Sequence, residues 1–277
     1  MIAMRQFLGI FRVWMAVAWG CAVSGVVIAD DASMPLRSAA ELAGQLAGGG
    51  RQGSAFVRLR VEVRQLAAKS RLVLQVQVKS RRSPARTELV YQVLWPKERK
   101  GEAILLTRVG GAAPSGTRLV PPSGAQPMAA SAFANRLFGT DLLLADLIEE
   151  HFGWKHQNLA GTEEIDGIRC DILESRPGKG EWAGCATVRS WIDPRRLVPM
   201  RIEKYSSSGQ LLRRIDTLKV VRQDGWHFPA RFLVRQSGQD SESEFEAVRG
   251  ERGVTFADED FTAQGLGRLD PPRSGGE

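Results

Sequence analysis

The chain has 277 residues, 43% of them hydrophobic, with 38 Lys and Arg against 31 Asp and Glu and a formal net charge of +7. That length and apolar content exclude disorder of the whole chain and suit one large β domain or two small ones. The positive excess is spread over strand-like segments, from Arg58, Arg60 and Arg64 through Lys69, Arg71, Lys79, Arg81 and Arg82 to Lys97, Arg99 and Lys100. With no clustered aromatics and no groove-reading motif, a solvated sheet face explains this better than nucleic acid.

Met1 to Arg12 carries Arg5 and Arg12 and no acid, Val13 to Val27 is mostly apolar, and Val27-Ile28-Ala29 has the residue types of a cleavage site. This predicts a secretory signal over residues 1–29, cut after Ala29. A membrane anchor fits less well, because Gly20, Ser24 and Gly25 interrupt a run that falls short of the roughly 20 residues a span needs. Cys21, in Trp-Gly-Cys, offers a lipid-attachment alternative that the bulky Trp19 disfavours. Without the leader, 36 basic side chains face 31 acidic ones.

Leu36 to Ala47 has apolar spacing of three and four with Ser38 as a cap, which predicts an amphipathic helix. The following Gly-rich stretch formally matches G-x-G-x-x-G at Gly48, Gly50 and Gly53, but it follows a helix and precedes a strand, the reverse of a dinucleotide site. From Ser54 to Val109 the period becomes two: Val57, Leu59, Val61 and Val63, then Leu72, Leu74, Val76 and Val78, then Leu89, Tyr91, Val93 and Trp95, then a strand apolar on both faces. Gly110 to Pro127 reads as a mobile loop with one strand-like piece at Thr117 to Val120. Residues 137–154, LFGTDLLLADLIEEHFGW, read as a turn leading into a helix from Asp141 to Phe152. Its leucines exceed what one buried stripe needs, with Leu142, Leu143 and Leu144 in surplus. Seven more strand-like segments follow, punctuated by Asp193-Pro194, Ser208-Gly209 and Asp224-Gly225 at the spacing of an antiparallel meander.

The cysteines left after cleavage, Cys170 and Cys185, flank a segment with Pro177-Gly178-Lys179-Gly180 near its middle. In an exported protein this predicts a disulfide across a hairpin, with two buried free thiols as the alternative. Ten or eleven strands and two or three helices make a mainly β chain whose single large sheet either closes into a filled barrel or stays open over a ligand under a partial lid.

Catalytic signatures are missing: no G-x-S-x-G, no H-E-x-x-H and no phosphate loop. His151, His156 and His227 stand in unrelated contexts, so no metal and no cofactor is expected. Glu149-Glu150, Glu163-Glu164 and Asp258-Glu259-Asp260 are adjacent, so their side chains point apart and suit solvated edges better than acid/base work.

Gly139, Thr140, Asp141, Asp146 and Leu147 in LFGTDLLLADL resemble a stretch of the LolA-like periplasmic proteins, the outer membrane lipoprotein-sorting family. So do Trp95-Pro96 before KERKGEAILL, DGWHFPARF, and the run with Trp191, Ile192, Asp193, Pro199, Arg201, Glu203 and Tyr205. Leu142 stands where the family has an aromatic. Asp141 also reads as a helix cap and Gly139 as a turn residue. The resemblance implies an antiparallel sheet curved into an unclosed half-barrel, with a helical lid over a hydrophobic concavity that holds acyl chains. It implies a non-enzymatic, monomeric periplasmic carrier of lipid or lipoprotein acyl chains, with an inner-membrane export complex and an outer-membrane acceptor as partners. The alternation nominates Leu72, Leu74, Val76, Leu89, Tyr91, Val93, Trp95, Trp226, Phe228 and Phe232 for the concavity, and Leu142, Leu143, Leu144 and Leu147 for a mobile lid. The rival functions are a lipid-sensing regulatory or accessory domain of an envelope-stress or lipid-export system, and a hydrolase whose nucleophile signature is missing.

Overall fold

Ser38 and Glu41 start the first element of the computed structural model, which describes residues 37–48 and 52–271. The Glu41 backbone N–H donates to the Ser38 hydroxyl at 3.2 Å, and the Ser38 N–H donates to the Glu41 carboxylate at 2.8 Å. This reciprocal box opens α1 (Ala39–Gly48). The expected leader, residues 1–29 with Cys21, lies outside the described residues.

Six strands follow: β1 (Gly53–Gln65), β2 (Ser70–Arg82), β3 (Arg86–Trp95), β4 (Ala103–Val109), β5 (Ser115–Leu119) and β6 (Gln126–Pro127). Residues 128–155 then form a connection holding the short helix α2 (Leu144–Ile148). The second series is β7 (His156–Ile165), β8 (Ile168–Arg176), β9 (Thr187–Asp193), β10 (Val198–Tyr205), β11 (Leu211–Gln223), β12 (Trp226–Gln236) and β13 (Ser241–Arg252). All join one antiparallel sheet in the order β6-β5-β4-β3-β2-β1-β13-β12-β11-β10-β9-β8-β7, which does not close. Each series is a meander of sequence neighbours, and the β1–β13 pairing seams the two together. Strands β6 and β7, consecutive in the chain, therefore lie at opposite edges, and the segment between them crosses the concave face.

Alternation decides which side chains meet that segment. Val57–Val78–Tyr91–Ile104 and Leu59–Val76–Val93 are cross-strand rows on the concave face, and Phe245 pairs with Val61 and with Phe232, whose ring stacks on its own at 4.9 Å. The expected loop from Gly110 to Pro127 instead contributes two strands. Ser115 to Leu119 continue the β4 ladder, which raises the strand count to thirteen. The β11–β12 hairpin turns on Asp224-Gly225, both at positive φ (50° and 81°), the two-residue turn whose twist matches its strands.

The convex face of β2 to β4 is not solvated. Residues after Val254 return as a strap that lays Phe261 and Leu266 on Val90, Ala103 and Leu105. Beneath it the Gln92 amide donates to the carbonyls of Leu266 and Arg268 at 2.7 and 2.8 Å, and the Gln77 amide donates to the Leu269 carbonyl at 3.0 Å. Lys79, expected on a solvated face, is buried in an ion pair with Asp260, and Arg81 reaches Asp258. The acidic triplet is thus partly a clamp and not wholly a solvated edge.

Cys170 and Cys185 are both free, against the disulfide expectation. Cys170 packs with Ile165, Trp191 and Met200, whereas Cys185 lies against the Glu149 carboxylate. The hairpin turn alone did not fix their facing. Burial, aided by Asp193, pushes the Cys170 thiol up to about 11; burial and then Glu149 push Cys185 up to about 12, so both stay protonated at neutral pH.

Candidate functional site

The concave face carries two apolar clusters, each covered by a different segment. On β8 and β9, Leu173 and Ile192 are sealed by Leu42, Ala43 and Leu46 of α1 and by Phe152. On β1 to β4, the core formed by Val61, Leu74, Val76, Val78, Leu89, Val93, Ile104 and Leu106 is sealed by Phe133, Leu137, Phe138, Leu142, Leu144, Ala145 and Ile148 of the connection. That connection is a plug and not one long helix. It is extended at Leu143 (φ −89°, ψ 158°) and helical only from Leu144 to Ile148, with the Leu143 N–H donating to the Asp146 carboxylate at 2.8 Å. The break answers the surplus of leucines: Leu142 and Leu144 both reach the core, while Leu143 and Leu147 stay half-buried.

Polar contacts bolt the plug down. Asp141, fully buried, accepts from the hydroxyls of Ser241 and Ser243 at 2.6 and 2.7 Å, and its own N–H donates to Ser243 at 2.9 Å. It is an anchor to β13 and not a helix cap, while Gly139 turns the chain at φ 84°. Asp146 pairs with Lys204 at 2.9 Å and with Arg213 at 2.8 Å, and Lys204 also pairs with Glu149. Glu150 accepts from Thr87 at 2.7 Å and pairs with Arg82 at 3.3 Å. The expected solvated pair Glu149-Glu150 is therefore two anchors pointing to different strands. Burial works against the charge on Asp146, but Lys204 and Arg213 outweigh it and hold its carboxyl below the usual range. Burial likewise opposes the Lys204 charge, and Asp146 and Glu149 overcome it to raise the ammonium pKa.

The plug stops short of the far ends of β11, β12 and β13. There β12 pairs with β13 only from Arg231 to Arg235, and β11 pairs with β10 only up to Asp216. The outer half of the β11–β12 hairpin is a ribbon paired with itself. Its side facing the concavity carries Val221, Trp226 and Phe228, with the Arg252 guanidinium 5.0 Å from the Phe228 ring and the Gln223 amide donating to the Gly250 carbonyl at 3.4 Å. Val221 is 37% exposed and Trp226 45%. Half-buried Val57 joins this open shelf to the core.

The nominated residues divide accordingly. Leu74, Val76, Leu89 and Val93 are buried beneath the plug; Leu72, Tyr91 and Phe232 pack on the edge of the same cluster, where burial pushes the Tyr91 phenol up to about 12. Phe228 and Trp226 lie on the open shelf. Trp95 stands apart: a bulge sets both Leu94 and Trp95 against Gln75, which reverses the alternation and leaves Trp95 on the convex face, 48% exposed. Sequence reasoning missed Val221 and Arg252 on the shelf, and Ser241, Ser243, Lys204 and Arg213 as anchors. Only the plain alternation of β11 and β13 hinted at them. Among the described residues no group of three or more His, Cys, Asp or Glu is placed to hold a metal, and no helix is long and apolar enough to cross a membrane.

An unclosed antiparallel sheet with a covered concave face is the LolA-like fold, as the sequence resemblance implies. A DUF1329 family protein from Desulfovibrio piger has this architecture at TM-score 0.77 and 17% identity, over 82% of this chain and 97% of that one. A protein domain from Vibrio parahaemolyticus, assigned to outer membrane lipoprotein sorting, matches at TM-score 0.75 and 15% identity, over 83% and 98%. A LolA superfamily protein from Nitrosomonas europaea matches at TM-score 0.66 and 19% identity, over 82% and 98%. Residues 88–268 match a family model with the description "Uncharacterized protein", and the chain belongs to that family. No curated protein matches the sequence.

Proposed function

We propose that the protein is a non-enzymatic periplasmic carrier of lipid or of lipoprotein acyl chains, which it holds on the concave face for transfer towards the outer membrane. One observation carries the reading: the same sheet face that forms the plugged core, out to Val57 and Phe232, leaves Val221 and Trp226 exposed beyond the plug. An acyl chain on such a surface gains about 0.8 kcal/mol per methylene, so a long chain gains on the order of 10 kcal/mol before ordering costs. Contact of this kind needs no catalytic group. The outer-membrane sorting role assigned to the Vibrio parahaemolyticus domain agrees with the cargo class. Titration of the delipidated protein with a fluorescent acyl probe is the test. Saturable binding that a long-chain lipid displaces supports a carrier, and an inert protein refutes it.

A further inference from the structure

Several cations lie on the concave face. Under the plug three of them pair with carboxylates of the connection: Arg82 with Glu150, Lys204 with Asp146 and Glu149, and Arg213 with Asp146. Arg108 donates to the Ile148 carbonyl at 3.5 Å. On the open shelf the pattern stops. Among the described residues Arg252 has no ion-pair partner; it lies over Phe228 and donates to the Gln52 carbonyl at 3.3 Å.

An unpaired guanidinium beside exposed aromatic and aliphatic side chains suits an anionic amphiphile. We infer that the shelf is a headgroup-selective site for an anionic phospholipid, its acyl chain on Val221, Trp226 and Phe228 and its phosphate at Arg252. Three features favour this occupant over a neutral chain. A guanidinium donates to phosphate in forked geometry. Its position on the Phe228 ring shields it from water, which strengthens an ionic contact. Under the plug, carboxylates of the connection pair with Arg82, Lys204 and Arg213 on the same face.

The inference rests on the carrier reading and adds a charge requirement to it. Calorimetric titration with lysophosphatidylglycerol and with lysophosphatidylcholine of the same chain length, both below micelle formation, separates the two. Wild type should bind the anionic lipid at least tenfold more tightly. Arg252→Gln should remove that preference while leaving lysophosphatidylcholine affinity within twofold, and Arg252→Lys, which keeps the charge without the fork, should reduce it about threefold. Equal affinity of wild type for the two lipids, or an unchanged preference in both folded variants, overturns the inference and leaves the carrier reading standing. Binding of neither lipid overturns both.

Discussion

The plugged section and the open shelf are built from the same alternating strands, yet one is as dry as a protein core and the other presents an indole to solvent. Val93 on β3 and Val221 on β11 both point into the concavity; the first is 0% exposed and the second 37%. Nothing in the strands themselves distinguishes the two. The difference comes from where a polar segment can be anchored: Ser241, Ser243, Lys204 and Arg213 hold Asp141, Asp146 and Glu149, and the tip of the β11–β12 hairpin offers the plug no such hold. Burial of an apolar face here is decided by hydrogen bonds and ion pairs beside it.

Charge insertion should break the comparison most sharply. Val93→Glu leaves a carboxylate buried without a partner and should cost about 3–5 kcal/mol or prevent folding. Val221→Glu should stay within about 0.5 kcal/mol. Urea denaturation midpoints measure both, and similar losses at the two sites would erase the distinction. Next comes the anchor. Lys204→Met strands Glu149 and should destabilise by about 3 kcal/mol, part of which Glu149→Gln in the same chain should restore.

Acid and alkali probe the same bolts from opposite sides. The folded Asp146 pKa lies below its unfolded value, so its contribution is present above the unfolded pKa and is lost as pH falls through the folded one. Lys204 is raised, so its contribution is complete below its unfolded pKa of 10.5 and is lost as pH rises through the folded value. Thermal melts should therefore show a plateau from about pH 5 to about pH 10 as far as these groups contribute, with Lys204→Met flattening the alkaline limb. At the shelf the expected stability effect is smallest. Trp226→Ala should alter the melt by about 0.5 kcal/mol while weakening acyl-probe binding about tenfold, or about 1.4 kcal/mol. Thiol titration of the unfolded, unreduced protein should count both Cys170 and Cys185 as free.

Much of this was legible. Alternation placed Leu74, Val76, Leu89 and Val93 on one face because period two needs no knowledge of neighbours. It failed at Trp95, since a bulge depends on how the β2 partner is matched and not on the β3 sequence. The plug was visible as a run too rich in leucine for one helix, but its break at Leu143 was not, because Leu143 is bridged to Arg136 while Asp141 beside it is held by Ser241 and Ser243, a strand about a hundred residues away. The strap over Gln77, Lys79 and Gln92 was likewise hidden, since amide and ammonium groups on a strand read as solvent-facing until the segment that satisfies them is folded back.

The topology gives the plug a further property. Its two ends continue into β6 and β7 at opposite edges of the sheet, so it is strung across the concavity like a bucket handle and cannot depart as a door on one hinge would. Any ligand that takes the plugged half competes with a rival tethered at both ends, whose local concentration is fixed by the connection and does not fall on dilution. Affinity there reports the difference between cargo and handle, reduced by the fraction of molecules in which the handle is raised. The shelf has no such rival, so occupancy should begin at the hairpin and advance inward only as far as the cargo outbids the chain's own leucines.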